Sequence, residues 1–261
     1  MNPYEDMPRS HFWRTGVAAE SDYDDLHHPK WPIRPDAEIV TMGSCFAQHV
    51  GRRLKSLGYN VPYYDDATNV KNTYFSANYG NIYTVRQALQ LVRESKGDFP
   101  RSETAWRAGG GGFVDPFRPN VFENPFGSES ELRDSRTQHL GAVRQAITRL
   151  DLLVLTLGLT EAWESRRDRS VFPAVPGLAG GEFDPGEHHF VNFSYEEIVA
   201  DLKDLIEEIR GARAGRGFHL LLTVSPVPLT ATAEDRHVLV SNVASKSILR
   251  AVADYFAREF P

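Results

Sequence analysis

Apolar residues along the chain alternate between short unbroken runs and longer stretches at helical spacing. Ile39, Val40 and Met42 predict a strand over 37–42. Phe46, Ala47, His49, Val50, Leu54 and Leu57 then predict a helix over 46–57 that stops at Gly58. Val61–Tyr64 reads as a second short strand, and Val85, Ala88, Leu89, Leu91 and Val92 set a helix over 84–95. Ser128, with Glu131 three residues on, resembles a capping box opening a helix that runs to about Leu150. Leu152 to Leu157 is unbroken and apolar, the sign of a buried parallel strand. Ser194 and Glu197 open a helix to Arg210 whose inner face is Ile198, Leu202, Leu205 and Ile209. Phe218 to Val224 predicts another buried strand, and a helix over about 241–257 closes the chain.

Strand and helix alternate, so the predicted class is α/β, a three-layer sandwich around a mostly parallel sheet covered on both faces. One domain spans 37–261. Residues 1–36 read as an arm, because Pro3, Pro8, Pro29, Pro32 and Pro35 forbid a regular element. Its aromatics Phe12, Trp13, Tyr23 and Trp31 suggest that the arm is packed on the domain. Two excursions break the alternation. Residues 97–127 contain Gly109 to Gly112, Pro116, Pro119 and Pro125, and a second Gly/Pro-rich stretch covers 164–192. Long loops in compact domains tend to carry function, so both are expected to wall or cover a site.

Composition narrows the partners. With 41% hydrophobic and 25% charged residues, the 261-residue chain is ordinary for a soluble domain. A net charge of −6 without a Lys/Arg cluster argues against nucleic acid. A single cysteine cannot close an intrachain disulfide. The first residues carry no secretory pattern, and the apolar runs are too short for a bilayer, so a cytoplasmic protein without a membrane partner is expected.

Chemistry concentrates at three strand ends: Gly43-Ser44-Cys45, Gly158-Leu159-Thr160-Glu161, and the segment after Ser225. In open parallel sheets, ligands collect outside the carboxyl ends of strands. Cys45 sits where a strand turns through glycine into a helix, over backbone N–H groups that lack intrahelical partners. Those groups can hold an oxyanion, and the helix dipole favours a thiolate, which makes the turn a candidate for acyl transfer. The alternative is an inert buried cysteine. His237, with Glu234 and Asp235 just before it, can act as a base oriented by an acid; the plainer reading is a solvated loop. His27-His28 and His188-His189 do not predict a metal, since adjacent residues point to opposite sides of an extended chain. No cofactor is expected. The four glycines at 109–112 lack the Gly-Lys-Ser/Thr that a phosphate loop needs and suit a hairpin tip. Trp106 and Trp163 flank the excursions and could line a pocket, whereas Lys246 with Ser245 and Ser247 could ion-pair or bind a ligand, a solvated helix face being the plainer reading.

Gly43-Ser44-Cys45-Phe46-Ala47 spells the motif for which the GSCFA-domain proteins are named. Phe75 to Thr84, Asp115 to Pro119, Thr156 to Trp163, Val224 to Leu229, and His237 to Val240 through Ser245-Lys246-Ser247 also resemble that family. The resemblance runs from about Asn2 to Arg250 and implies a flavodoxin-like fold similar to the SGNH (GDSL-type) hydrolases. By that likeness Cys45 stands where the nucleophilic serine would, and Ser44 where the aspartate of the Gly-Asp-Ser turn would. Gly80 matches the glycine that lends an N–H to the oxyanion hole. Gly158-Leu159-Thr160-Glu161 replaces a Gly-x-Asn-Asp turn, and Glu234-Asp235-Arg236-His237 gives Glu-x-x-His for Asp-x-x-His. The oxyanion asparagine is missing, so Asn78, Asn81 or Thr160 would have to substitute. The resemblance implies an esterase or O-acyltransferase on a small or carbohydrate-linked acyl group. Cys45 or Ser44 would be the nucleophile, His237 the base, and Asp235 or Glu234 its orienting acid. The alternative is a binding module without turnover on the same fold, holding a polar ligand with Asp115, Arg118 and Glu161.

Overall fold

The computed structural model describes residues 2–17, 26–68, 70–71 and 75–260, and Tyr23 of the arm lies outside them. The chain divides into a small unit ending at Ile33 and a main unit, Arg34–Phe260. The small unit carries a 3₁₀ turn (Arg9–His11) and a one-turn helix α1 (Trp13–Gly16).

The main unit is mixed α/β. Its central sheet has three parallel strands in the order β1 (Ile39–Gly43), β4 (Leu152–Leu157), β8 (His219–Val224). Between them come α2 (Cys45–Ser56), α3 (Val85–Lys96), the two-residue strands β2 (Trp106–Arg107) and β3 (Phe113–Val114), and α4 (Glu129–Arg149). After β4 follow β5 (Glu161–Ser165), β6 (Val171–Phe172), β7 (His188–Asn192) and α5 (Tyr195–Ala212); α6 (Val238–Glu259) comes last. Register aligns Gly43 with Thr156, and Leu157 with Val224, so the three carboxyl ends lie along one edge. The core gathers the inward faces of β1 and β4 (Val40, Met42, Leu153, Leu155) with those of α3, α4 and α5 (Leu89, Val92, Val143, Ile147, Leu202, Leu205).

Local signals fix the helices. Thr84 caps α3 in a full capping box with Gln87, and Gly97 ends it in the left-handed conformation. Ser194 and Glu197 do the same at the start of α5. Ser128 receives the Glu131 amide, but the Glu131 carboxylate accepts from Gly127, so only half of that expected box forms.

Four expectations need correction. Residues 61–64 form no strand. They belong to a segment that covers the outer edge of β1 through isolated bonds: Asn60 O accepts from Ile39, Ser76 Oγ accepts from Thr41 N, and the Tyr79 hydroxyl donates to Thr41 O. Side chains that satisfy a strand edge leave no ladder for Val61–Tyr64 to join. The second excursion is largely a three-stranded antiparallel sheet in the order β6-β5-β7. Each of its strands is short, and the Gly/Pro residues between them hid the alternation. Strand β8 is an edge strand in which His219 is exposed and Leu220–Val224 are only partly buried. Helix α6 begins three residues before the expected 241, directly after His237. Among the four glycines, the turn from Gly109 to Gly112 does close the β2–β3 hairpin.

Candidate functional site

The carboxyl edge is built around Gly43. Its φ is +137°, and a Cβ there would stand 2.4 Å from the Thr156 carbonyl oxygen. Only glycine lets β1 turn this close to β4. Ser44 then occupies the N-cap of α2 in extended conformation, and Cys45 is the first helical residue. Ser44 does not cap with its side chain. It is 3% exposed, and its Oγ has no partner among the described residues. Cys45 is half-buried and in reach of solvent. Of the first-turn amides of α2, Ala47 N donates to Ser44 O, while those of Cys45 and Phe46 have no intrahelical acceptor.

Two backbone segments converge on this turn. Ile82 N donates to Gly43 O, which ties 80–83 to the end of β1. Gly158 and Leu159 both donate to Tyr83 O, at 3.1 and 2.8 Å. A Cβ on Gly158 would lie 2.7 Å from Tyr83 O and 3.3 Å from the Ser44 Cβ, so the Gly158 turn abuts Ser44 directly. Thr160 is buried at the same edge, its hydroxyl unpartnered among the described residues. Its amide donates to Ser245 Oγ at 3.1 Å, and the Lys246 Nζ donates to Gly158 O at 2.7 Å. The expectation of a solvated face at 245–246 is therefore corrected: Ser245 is buried and Lys246 half-buried. Burial lowers the Lys246 pKa, and the negative form of Cys45 opposes that shift. Burial also raises the Tyr83 pKa; the Asn81 bond works against this and Cys45 adds to it.

Beside the turn lies a cavity of about 100 Å³ lined by Gln48, Gly80, Asn81, Tyr83, Arg118 and Pro173 among others. Both excursions reach it, the first through Phe117–Val121 and the second through Pro173. Asn81 donates to the Tyr83 hydroxyl at 3.0 Å, and its own carbonyl oxygen has no partner among the described residues. Asn78 is fully buried away from the opening. Its side-chain oxygen accepts from the Tyr63 hydroxyl, its backbone N–H donates to Asp65, and its backbone carbonyl receives Arg118. Of the asparagines suggested for an oxyanion, Asn81 is the one at the cavity.

Other expected site residues stand elsewhere. His237 is the exposed N-cap of α6, and its Nδ1 accepts from the Leu239 amide at 3.2 Å. That bond puts the proton of the neutral ring on Nε2, the nitrogen that a base held by an acid at Nδ1 would keep free. No hydrogen bond joins His237 to Cys45 or Asp235 among the described residues. Glu234 accepts from Asn192 at 2.6 Å and pairs with Arg236 at 3.5 Å. Glu161 accepts from Thr232 at 2.9 Å; burial raises its pKa, and the nearby Glu234 adds to this. The structure therefore groups Glu234 with Glu161, Asn192 and Thr232. Asp115 and Arg118 do pair, at 3.0 Å, inside a buried cluster with Arg101, Arg136 and Glu94. The Asp115 Oδ1 receives Arg101 and the Phe117 amide, and Oδ2 receives Arg118 and Arg136. Burial alone would raise its pKa, yet Arg136, Arg101 and Arg118 together hold it far below the carboxylate range. Its oxygens are fully used, whereas Arg118 also lines the cavity. Trp106 packs on Phe172, and Trp163 on Phe183 and Phe190. His188 bonds Glu103 and His189 pairs with Glu164, so the adjacent histidines do take separate partners.

Two features had no place in the sequence reading. One is Tyr83, whose carbonyl oxygen holds the Gly158–Leu159 turn against the end of β1. The other is a buried His139–Asp65 pair at 2.8 Å, packed under Tyr79. Its members lie 74 residues apart, and no local pattern links them.

Fold and edge together define an α/β protein with a half-buried cysteine at a strand–turn–helix junction. The chain belongs to the GSCFA family, whose family model matches residues 38–261. No curated protein and no solved structure matches it.

Proposed function

We propose that this chain handles acyl groups at the Cys45 edge, as an SGNH-like esterase or O-acyltransferase on a small or carbohydrate-linked acyl group. The observation that carries the reading is the junction itself. A solvent-reachable thiol opens a 12-residue helix beside two buried, unpartnered hydroxyls, Ser44 and Thr160. A sulfur there can attack a carbonyl carbon while the first-turn amides of α2, with Asn81 or Thr160, receive the oxygen. A thioester intermediate suits transfer to an acceptor hydroxyl as well as hydrolysis.

A second reading is favoured by His237, which caps α6 with the nitrogen a triad would need for its acid. On that reading the protein is a binding module on an SGNH-like fold, holding a polar ligand in the cavity beside Asn81, Tyr83 and Arg118. Incubation with a panel of chromogenic acyl esters, before and after alkylation of Cys45, separates the two. Turnover lost on alkylation supports the enzyme. A panel without turnover, with ligand-induced stabilisation that survives Cys45→Ala, supports the binder.

A further inference from the structure

We propose that the cavity beside the Cys45 turn selects an uncharged, hydroxyl-bearing ring, a neutral sugar. Tyr83 is the surface the ring lies on, and the Asn81 and Gln48 amides meet its hydroxyls. This rests on the reading above that the ligand sits in this cavity, and it adds which ligands are turned away. The cavity measures about 100 Å³, room for several waters and so for one small ring, not for an extended chain.

Charge is what the cavity lacks. Apart from two tyrosines, Arg118 is the one ionisable residue among those lining it. Its guanidinium is engaged within the protein: Nε donates to Asp115 and Nη2 to Ser135, each at 3.0 Å, and Nη1 donates to Asn78 O at 3.4 Å. The side chain is 1% exposed. Around it Arg101, Arg118 and Arg136 are matched by Asp115, Glu94 and Asp65, so the cluster has no charge left over for a ligand. Burial keeps the Tyr79 and Tyr83 phenols neutral. Neither Lys246 nor Cys45 is among the lining residues. An anion entering here would lose its hydration without gaining a counter-charge, which is costly.

Hydrogen-bonding capacity, by contrast, is left open. The Asn81 Oδ1 is buried and unpartnered among the described residues. Its Nδ2 donates to the Tyr83 hydroxyl at 3.0 Å, which leaves the Tyr83 O–H proton free to give. The side-chain amides of Gln48 and of the exposed Asn120 bond to no described residue. Such a set both accepts from and donates to hydroxyls. Of the three aromatic lining residues, Phe117 is stacked on Phe172 at 5.5 Å, and Tyr79 packs against Phe75 and His139. Tyr83 has no ring contact among the described residues, so its ring is the one left for the apolar face of a sugar. Gln48 follows Cys45 by three residues on α2, on the same face, which brings a ring held here to within a helical turn of the thiol.

The test is calorimetric binding of matched probes: methyl glucoside and myo-inositol as neutral probes, glucuronate and glucose 6-phosphate as anionic ones. Wild type should bind a neutral probe with an affinity that holds from about 0.05 to about 0.5 M salt, and the anionic probes at least about tenfold more weakly. Asn81→Ala and Tyr83→Leu should each weaken the neutral probe by about tenfold. Gln48→Lys should reverse the preference, because an ammonium then meets the probe. A wild type that binds no neutral probe, or binds an anionic probe as tightly, overturns the proposal whether or not the variants fold. So does a folded Asn81→Ala or Tyr83→Leu that binds like wild type. Neutral probes bound by a protein that turns over no chromogenic ester defeat the acyl reading and leave the selectivity standing. Turnover that prefers anionic esters to neutral ones keeps the acyl reading and overturns the selectivity.

Discussion

At Gly43 any side chain would collide with the neighbouring strand, and the residue's positive φ adds to the cost. Gly43→Ala should therefore lose about 2–4 kcal/mol, combining left-handed strain with overpacking against Thr156; urea unfolding measures it. Two positions on, Cys45→Ala removes one small half-buried group at a helix start. It should leave the unfolding midpoint nearly unchanged while abolishing turnover of any ester the wild type accepts. Cys45→Ser should retain weak activity at best, since a hydroxyl needs a stronger base than a thiol. Asp115 gives the opposite contrast. Asp115→Ala leaves Arg101, Arg118 and Arg136 facing one another in the interior, a loss of about 3–5 kcal/mol. The Gly-Ser-Cys turn could be read from the sequence, because a strand end, a glycine and a helix start are all local. The charge cluster could not, because its members come from positions 94 to 136, brought together by two helices and a loop.

Among the helices, N-caps separate structural from functional residues. Thr84 and Ser194 cap α3 and α5 with their hydroxyls, so Thr84→Ala and Ser194→Ala should each cost about 1 kcal/mol. Ser44 stands at the same position of α2 but makes no capping bond, and its buried oxygen is unpartnered among the described residues. Ser44→Ala is expected to be neutral or stabilising when all three variants are compared by thermal melting. A loss comparable to that of Ser194→Ala would mean that Ser44 serves the fold. Helix starts were legible because a cap and the apolar stripe behind it lie within a few residues. The strands beyond β4 were less so. β5, β6 and β7 hold one another through cross-strand bonds that no short window contains, and the segment over 61–64 looks like a strand but meets an edge already satisfied by Ser76 and Tyr79.

For the molecule as a whole, acid should be destabilising, and the His139–Asp65 pair gives the sign. Burial pushes the His139 pKa down to about 3 from 6.5, the guanidinium of Arg118 adds to this, and Asp65 opposes it. Neutral His139 is bonded to the Asp65 carboxylate, whose own pKa is lowered: burial would raise it, but the bond to His139, the Ala67 amide and the Arg118 charge together outweigh that. Between about pH 6.5 and 3 the unfolded chain binds a proton at this histidine and the folded chain does not. Stability from this group is then fully present above 6.5 and falls as pH drops, with a slope of at most about 1.4 kcal/mol per pH unit. Asp65 adds in the same direction below its unfolded value. Denaturant midpoints measured from pH 7 to pH 4 should fall steadily, and His139→Gln should flatten that slope. An unchanged slope in the variant would show that His139 is charged in the folded state.

The sequence by itself determined the strand–turn–helix at Cys45, the buried strand Leu152–Leu157, the capped helices and the order of the central strands and main helices. Each of these depends on periodicity or on residues a turn apart. Tertiary structure alone decided what packs around the turn that precedes Cys45. The half-buried Lys246 side chain lies 201 positions along from it, and a polar residue on a final helix reads as solvated until that helix is packed. The same holds for His237, which has the right neighbours in sequence but whose Nδ1 is used by the first turn of its own helix. Contacts between distant residues are set by how sheet and helices pack, and one chain of letters carries no local trace of that packing.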